Sequence, residues 1–507
     1  MDIPAPGSEQ EDVRFRQLQE SLVTQFRHIF PDPLKPRTVV VIPSLTLDED
    51  VLNKVSGAHH YEERMLCMLM LLRMPTTHVI YVTSQPIDPA IIDYMLNLLP
   101  GIPFQHARKR LTLFSCRDAS STSLSQKILD RPRLLQRIQA QIADPASAHI
   151  TCYNVTALEK TLAVRLDIPL YACDPTLTAL GSKSGSRKVF AEAGLKMPEG
   201  FEDLRDADDL AEALAELKHQ VPTLSRAVVK LNEGFSGDGN AVFSYEDAPT
   251  GSSLLAWLRR ELPTRLQFEA TGETWEPYCE KFKTMQGIVE RFIDSDVKRS
   301  PSAQCRIDPL GQGGVISTHD QVLGGPSSQM FLGCMFPANE AYRLDIQSAG
   351  DRIADVLRQR GVIGRFAVDF LSTQENDRWE HYAIEINLRK GGTTHPFLML
   401  EFLTDGAYDK ETGLYYTPSG SPRFYYASDN LQSSLYRGLS AEDLIDISVI
   451  HQLHFHGATQ RGTVFHLIGA LSEFGKLGVV CIDESIPQAR QAYDKTVNIL
   501  TAEAHGI

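Results

Sequence analysis

Over the first third of the chain, short apolar runs alternate with stretches of helical period. The runs "TVVVIPSL", "HVIYVTS", "LTLFSC", "HITCYNV" and "PLYA" read as strands. Residues 61–74, 89–98, 132–142 and 157–166 read as helices between them. This rhythm predicts an open α/β sheet, at least partly parallel. A polar helix over 10–30 precedes it and stops at "FPDPLKP". No G-x-G-x-x-G follows the first strand, where "IPSLTLDED" stands instead, so a dinucleotide site is not expected there.

A second pattern starts near Pro175. "GSKSGSRKVFAEAGLKMPEGF" predicts a helix with Ser182 near its start, Gly194 just past its end and Pro198 beyond. Another helix spans 206–219, with Leu210, Leu214 and Leu217 on one face. "RAVVKLNEGFSGDGNAVF" reads as strand, glycine loop and strand. Further strands are expected at "QGIVERFI", "SAQCRID" and "GVISTHDQ", then a helix over 344–360 and the strand pair "GRFAVDFL" and "EHYAIEIN". The stretch 406–422 is rich in Gly, Tyr, Pro and Ser and reads as an excursion or linker. Mixed helical and strand signals from about Ala441 predict a small terminal α/β lobe.

The strand pair carries the chemistry. Side chains alternate faces along a strand. Tyr382, Ile384, Ile386 and Leu388 are therefore expected on one face, with Glu385, Asn387 and Arg389 on the other. In "GRFAVDFL", Phe366, Val368 and Phe370 oppose Arg365, Ala367 and Asp369. The polar segment "STQENDRW" between them reads as a hairpin loop, which would bring Asp369 beside Glu385. Two carboxylates about 4 Å apart repel by roughly 4 kcal/mol at an effective dielectric near 20. Protonation, a salt bridge or a cation relieves that. Asn387 adds a neutral oxygen, and hard cations such as Mg²⁺ take oxygen ligands. An ion network of Asp369 and Glu385 with Arg365 and Arg389 would serve as well.

Lys230 ends the strand before "LNEGFSGDGN", whose Gly234, Gly237 and Gly239 allow the loop to turn amides toward phosphate. The loop is not a P-loop. Lys183 sits at a helix start, where the dipole favours anions. His451, His454 and His456 in "HQLHFHG" match no strong zinc spacing. His59, His60, Tyr61 and Glu62 follow the first strand and read as a polar loop capping a helix. Gln304 and Arg306 share a strand face that is either solvated or turned to phosphate or substrate, and His395 with Pro396 shapes the exit from the metal strand.

In this order, the motifs resemble the ATP-grasp superfamily over roughly residues 175–403. "GSKSGSRKVF" is similar to its first lysine helix, "VVKLNEGFSGDGN" to its second lysine and flexible loop, and "IVERFI" to its adenine hinge. "AVDFL" with "AIEINLR" is similar to its metal strands. Leu231 departs from the proline common after that lysine. "HDQVLGGPSSQMFLGCMFPA" and "EINLRKGGTTHPF" resemble the branch of pheganomycin-type peptide ligases.

The resemblance implies that Lys183 and Lys230 contact the ATP phosphates and that Glu233, Ser236 and Gly237 lie in the phosphate lid. It places Glu290, Arg291, Phe292 and Ile293 along the adenine hinge and Asp296 at the ribose. Asp369, Glu385 and Asn387 would hold Mg²⁺, or Mn²⁺ in its place. Arg389 and Arg365 would face the reacting phosphoryl and acyl groups. The activity implied is ADP-forming ligation of a carboxylate to an amine, both small molecules of amino-acid or peptide type, through an acyl phosphate. A small-molecule kinase and a non-catalytic nucleotide-binding regulator are the competing readings.

Length and composition set the frame. A chain of 507 residues exceeds one hydrophobic core and implies two to four domains. The expected fold is α/β and α+β multidomain. Its parts are a helical leader over 1–35, a pre-ATP-grasp-like α/β domain over 36–174 and the ATP-grasp unit over 175–403. A linker or excursion over 404–440 and a C-terminal α/β lobe over 441–507 complete it. A net charge of −14 argues against nucleic acid as the main partner. No secretory signal or membrane span is read, and eight scattered cysteines without a C-x-x-C pair suit a reduced, cytoplasmic protein. A homo-oligomer is compatible with this composition.

Overall fold

The computed structural model describes residues 4–46, 57–234, 239–270, 272–324 and 330–506. Its first sheet is parallel, from β1 (Arg37–Ile42), β2 (Thr77–Thr83), β3 (Leu111–Ser115) and β4 (Ala148–Cys152), in the order β3-β2-β1-β4. Both faces are covered, which explains the unbroken apolar runs. Val39, Val41, Val79 and Tyr81 enter one core, and Val40, Ile42, Ile80 and Val82 the other. The N-terminal helix Glu9–His28 packs on this domain. Phe15 and Leu18 join the second core, Arg14 pairs with Asp167 at 2.5 Å, and Gln19 bonds both backbone groups of Leu170.

The second sheet is antiparallel: β5 (Gly200–Leu204), β6 (Arg226–Leu231), β7 (Asn240–Ser244), β8 (Gln267–Phe268) and β9 (Gly287–Arg291), in the order β5-β9-β6-β7-β8. Helix Ala207–Gln220 packs Leu210, Leu214 and Leu217 beneath it, capped by Asp206. Helices Leu254–Arg265 and Trp275–Met285 complete this core; the sequence reading missed both.

The third sheet has eleven strands. They are β10 (Lys298–Arg299), β11 (Pro301–Ile307), β12 (Gly313–Gly324), β13 (Met330–Phe336), β14 (Gly364–Glu375), β15 (Arg378–Asn387), β16 (Ala407–Asp409), β17 (Leu414–Tyr416), β18 (Pro422–Gln432), β19 (Gly462–His466) and β20 (Lys476–Asp483). Helix Arg343–Gln359 covers one face with Ile346, Ile353 and Leu357, against Ala303, Cys305, Phe366 and Val368. The polar residues of β11, β14 and β15 therefore occupy the other face.

Three local details depart from the sequence reading. The β14–β15 hairpin closes through Asn376 and Asp377, both at positive φ, so the loop is two residues rather than the longer polar segment. A register shift between Asp369 and Phe370 slips the alternation by one. Ala383, not Tyr382, consequently joins Ile386 and Leu388 in the core, and Tyr382 lies under the Lys196 ammonium, 4.6 Å from its ring. Between 404 and 440, where a linker or excursion was expected, the chain forms β16, β17 and β18. β18 bonds β13 on one side and β20 on the other, so the C-terminal segment continues the large sheet. Among the described residues no helix is long and apolar enough to cross a membrane.

Candidate active site

The acid pair is set by register. Asp369 lies directly opposite Glu385, and Ala367 opposite Asn387. Burial, then the Glu385 charge beside it, pushes the Asp369 carboxyl up to about 6. Burial also opposes the Glu385 charge, but the Lys183 ammonium outweighs it and holds this carboxyl below its usual range. Asp369 accepts one bond from Gln321 Nε2 at 2.7 Å and one from Asn387 Nδ2 at 2.9 Å. The second bond turns the Asn387 oxygen away from Asp369.

Lys183 reaches this pair because the first turn of its helix is held from several sides. Ser182 caps Lys183–Glu192, accepting from Gly185 N at 3.0 Å. A Cβ at Gly185 would stand 2.0 Å from the Ala179 carbonyl oxygen, so only glycine fits there. Ile386 N–H donates to Ser186 Oγ at 3.0 Å, fastening the helix to β15. The Ser184 N–H and hydroxyl both donate to Asn232 Oδ1, at 2.9 and 2.7 Å, fastening it to the chain after β6. Lys183 Nζ then pairs with Glu385 Oε1.

Lys230, on β6, pairs with Glu290 of β9, both buried. Arg187 approaches the same carboxylate at 3.6 Å and bonds Glu202 at 3.0 Å. The Lys230 charge is felt at Glu385, so the two lysines face one space. The Arg389 charge acts on both Asp369 and Glu385, and its Nη1 donates to the Lys390 carbonyl at 3.2 Å.

The remaining expected residues are placed as follows. Glu233 is exposed just beyond β6, whereas Ser236 and Gly237 lie outside the described residues. Glu290 and Arg291 end β9, where the chain crosses toward the large sheet. The N–H groups of Arg291 and Phe292 already donate to Glu199 O at 2.7 Å and Arg226 O at 3.3 Å. That edge therefore offers carbonyls and the buried Ile293 rather than these N–H groups. The Phe292 ring lies under Arg226 at 4.0 Å, and Asp296 is exposed. Arg365 stands apart from the cluster: it bonds Glu401 at 3.2 Å, four residues from Asp369, roughly 13 Å along the strand. His451 pairs with Glu503. His59, His60, Tyr61 and Glu62, expected in a polar loop capping a helix, lie instead inside the 3-10 helix Ala58–Arg73, where Glu62 accepts from the Ser84 N–H and hydroxyl beyond β2.

Gln321, Asn232 and Arg187 were missed by sequence reasoning. Only Gln321 had a signal, the alternation of Ser317, His319 and Gln321 along β12.

The donor set fits Mg²⁺. Among the described residues no group of three or more His, Cys, Asp or Glu could hold a metal alone. Two carboxylates and an amide oxygen on one face are instead what an ion shared with substrate phosphates requires. Asp369, pushed up by burial and then by Glu385, marks a place where positive charge relieves repulsion.

A protein-family model described as "IQCH-like, ATP-grasp" matches residues 175–267 and 252–411, and one described as "PGM1 C-terminal domain" matches 443–496. The L-propargylglycine–L-glutamate ligase of Streptantibioticus cattleyicolor is 27% identical over 472 residues, covering 91% of this chain and 94% of that one. The IQ motif-containing protein H of Danio rerio is 23% identical over 545 residues, covering 97% of this chain and 51% of that protein. The ADP complex of an N5-carboxyaminoimidazole ribonucleotide synthetase superposes with a TM-score of 0.52 at 14% identity, over 92% of this chain and 97% of that one.

Proposed function

We propose that this chain, an ATP-grasp protein, is an ADP-forming carboxylate–amine ligase acting through an acyl phosphate. The observation that carries the reading is the pairing of Asp369 with Glu385 in register, with Lys183 on the pair and Arg389 beside it.

Bringing a substrate carboxylate to the γ-phosphate of ATP joins two anions, so the protein must supply positive charge. Lys183 and Lys230 are held by Glu385 and Glu290, and each can exchange that carboxylate for a phosphate oxygen. Mg²⁺ held by Asp369, Glu385 and Asn387 would neutralise phosphate oxygens, and Mn²⁺ suits the same oxygen set. Arg389 stabilises charge developing on the transferring phosphoryl group. The carboxylate oxygen forms a bond to the γ-phosphorus while the bond to the β–γ bridging oxygen breaks, leaving ADP. The amine then attacks the acyl carbon, loses a proton, and inorganic phosphate departs. Water would destroy the acyl phosphate, so the site must exclude it while the intermediate lasts.

The substrates are amino-acid-type molecules, a reading supported by the Streptantibioticus relative. Eight free cysteines suit the reducing cytoplasm. The test is ADP release from ATP and Mg²⁺ with paired acids and amines, with product masses measured. Release that requires both partners and yields their amide supports ligation. A stable phosphorylated acid formed without an amine would make the protein a kinase, and no ADP with any pair would overturn catalysis.

A further inference from the structure

Beyond the acid row, the same sheet face carries a row of arginines. Strand register gives three rows across β11, β14 and β15. Ser302, Asp369 and Glu385 form the first, and Gln304, Ala367 and Asn387 the second. Arg306 lies opposite Arg365 in the third, and Arg389 follows β15 toward it. Like charges directly opposite on neighbouring strands are destabilising unless something neutralises them.

The protein's own neutralisation there is thin. Arg365 Nη2 donates to Glu401 at 3.2 Å, but its Nη1 is buried with no hydrogen-bond partner among the described residues. Arg306 Nε donates to the neutral Tyr171 hydroxyl at 2.9 Å. Asp308, nearby, is occupied by the turn amides of Leu310 and Gln312. Lys390 adds another cation, satisfied by the Cys152 carbonyl at 2.5 Å and Thr151 at 3.2 Å. Thus Arg306 and Arg365 share one bonded carboxylate, Glu401. An orphaned guanidinium N–H in such a place costs free energy that an anion would recover.

Position says which anion. The row lies where the ATP-grasp sheet meets the first domain, through Tyr171 and the carboxyl end of β4. Crevices outside the carboxyl ends of such strands bind ligands. The Arg365 Cα is roughly 13 Å from that of Asp369, a gap that an arginine side chain and an amino-acid-sized ligand fill together. Building on the ligase reading, we propose that Arg306 and Arg365 bind a non-reacting carboxylate of an amino-acid substrate while its reacting group lies at the acid row. The carboxylate belongs either to the acyl donor, which is then a dicarboxylic acid, or to the amine acceptor.

Calorimetry on protein saturated with Mg·ADP tests this without turnover. The probes are L-glutamate against its α-amide, for the donor, and L-alanine against L-alaninamide, for the acceptor. In one pair the acid should bind about ten- to a hundred-fold more tightly than its amide, the usual worth of a charge-assisted bond. Arg306→Gln should reduce that preference to about two-fold while Mg·ADP affinity is unchanged, and Arg306→Lys should restore part of it. The pair that responds identifies the donor or the acceptor. Acids and amides that bind alike, or a preference that survives Arg306→Gln with nucleotide binding intact, overturn the proposal. Failure of ADP release with every acid–amine pair would instead count against the ligase reading, which calorimetry does not measure.

Discussion

Replacing Asp369 by Asn should change stability in a pH-dependent way. The Asp369 carboxyl is raised from 3.8 to about 6, first by burial and then by Glu385. A native acid with a raised pKa keeps its proton where the unfolded chain has lost it. Asp369 therefore costs nothing below its unfolded pKa, costs progressively more as pH rises through the interval, and its cost is complete above about 6. About two units at roughly 1.4 kcal/mol each give about 3 kcal/mol. The side chain is only half-buried, so solvent reduces this to roughly 1–2 kcal/mol. The Asp369→Asn substitution abolishes that pH-linked cost. It also leaves either Gln321 Nε2 or Asn387 Nδ2 facing a donor, a pH-independent loss of about 1 kcal/mol. Urea denaturation without metal or nucleotide measures both terms. From about pH 4.5 to 7.5 the variant should gain on the unsubstituted protein by roughly 1–2 kcal/mol. Adding Mg·ADP at about a hundred times its dissociation constant should stabilise the unsubstituted protein by about 2.7 kcal/mol and the variant far less. Stability curves that run parallel across this pH range would refute the like-charge argument.

Glu385→Gln should lower amide formation by about a hundred-fold or more while the circular dichroism spectrum is unchanged, since it removes the negative charge that pairs with Lys183 and would hold the metal. Arg389→Ala should lower kcat by about a hundred- to a thousand-fold with little change in the KM for ATP; an equal loss confined to KM would assign it to ground-state binding. Lys230→Met leaves Glu290 buried beside Arg187 alone and should destabilise by about 3 kcal/mol, whereas Lys230→Met with Glu290→Gln should cost less. A double-mutant cycle followed by denaturation measures that coupling.

The chain's own local order already determined the alternating first domain, the capped helix that presents Lys183, the strand that ends in Lys230, and the face shared by Glu385 and Asn387. These follow from periods of two and 3.6 residues and from capping, all of which act over a few neighbours. That Asp369 would meet Glu385 followed from one hairpin. Tertiary structure alone decided the rest. The bulge that turned Ala383 inward answers to pairing with β14, not to residue preference. Gln321 showed only in the alternation of its strand, and Asn232 and Arg187, though close in sequence to Lys230 and Lys183, carry no local mark of the groups they bond. The continuation of the sheet from β13 through β18 into the C-terminal segment, and the arginine row of Arg306 and Arg365, likewise come from strand order. Strand order is a long-range choice among pairings of similar local energy, settled by which arrangement buries the most apolar surface and leaves the fewest polar groups unpaired.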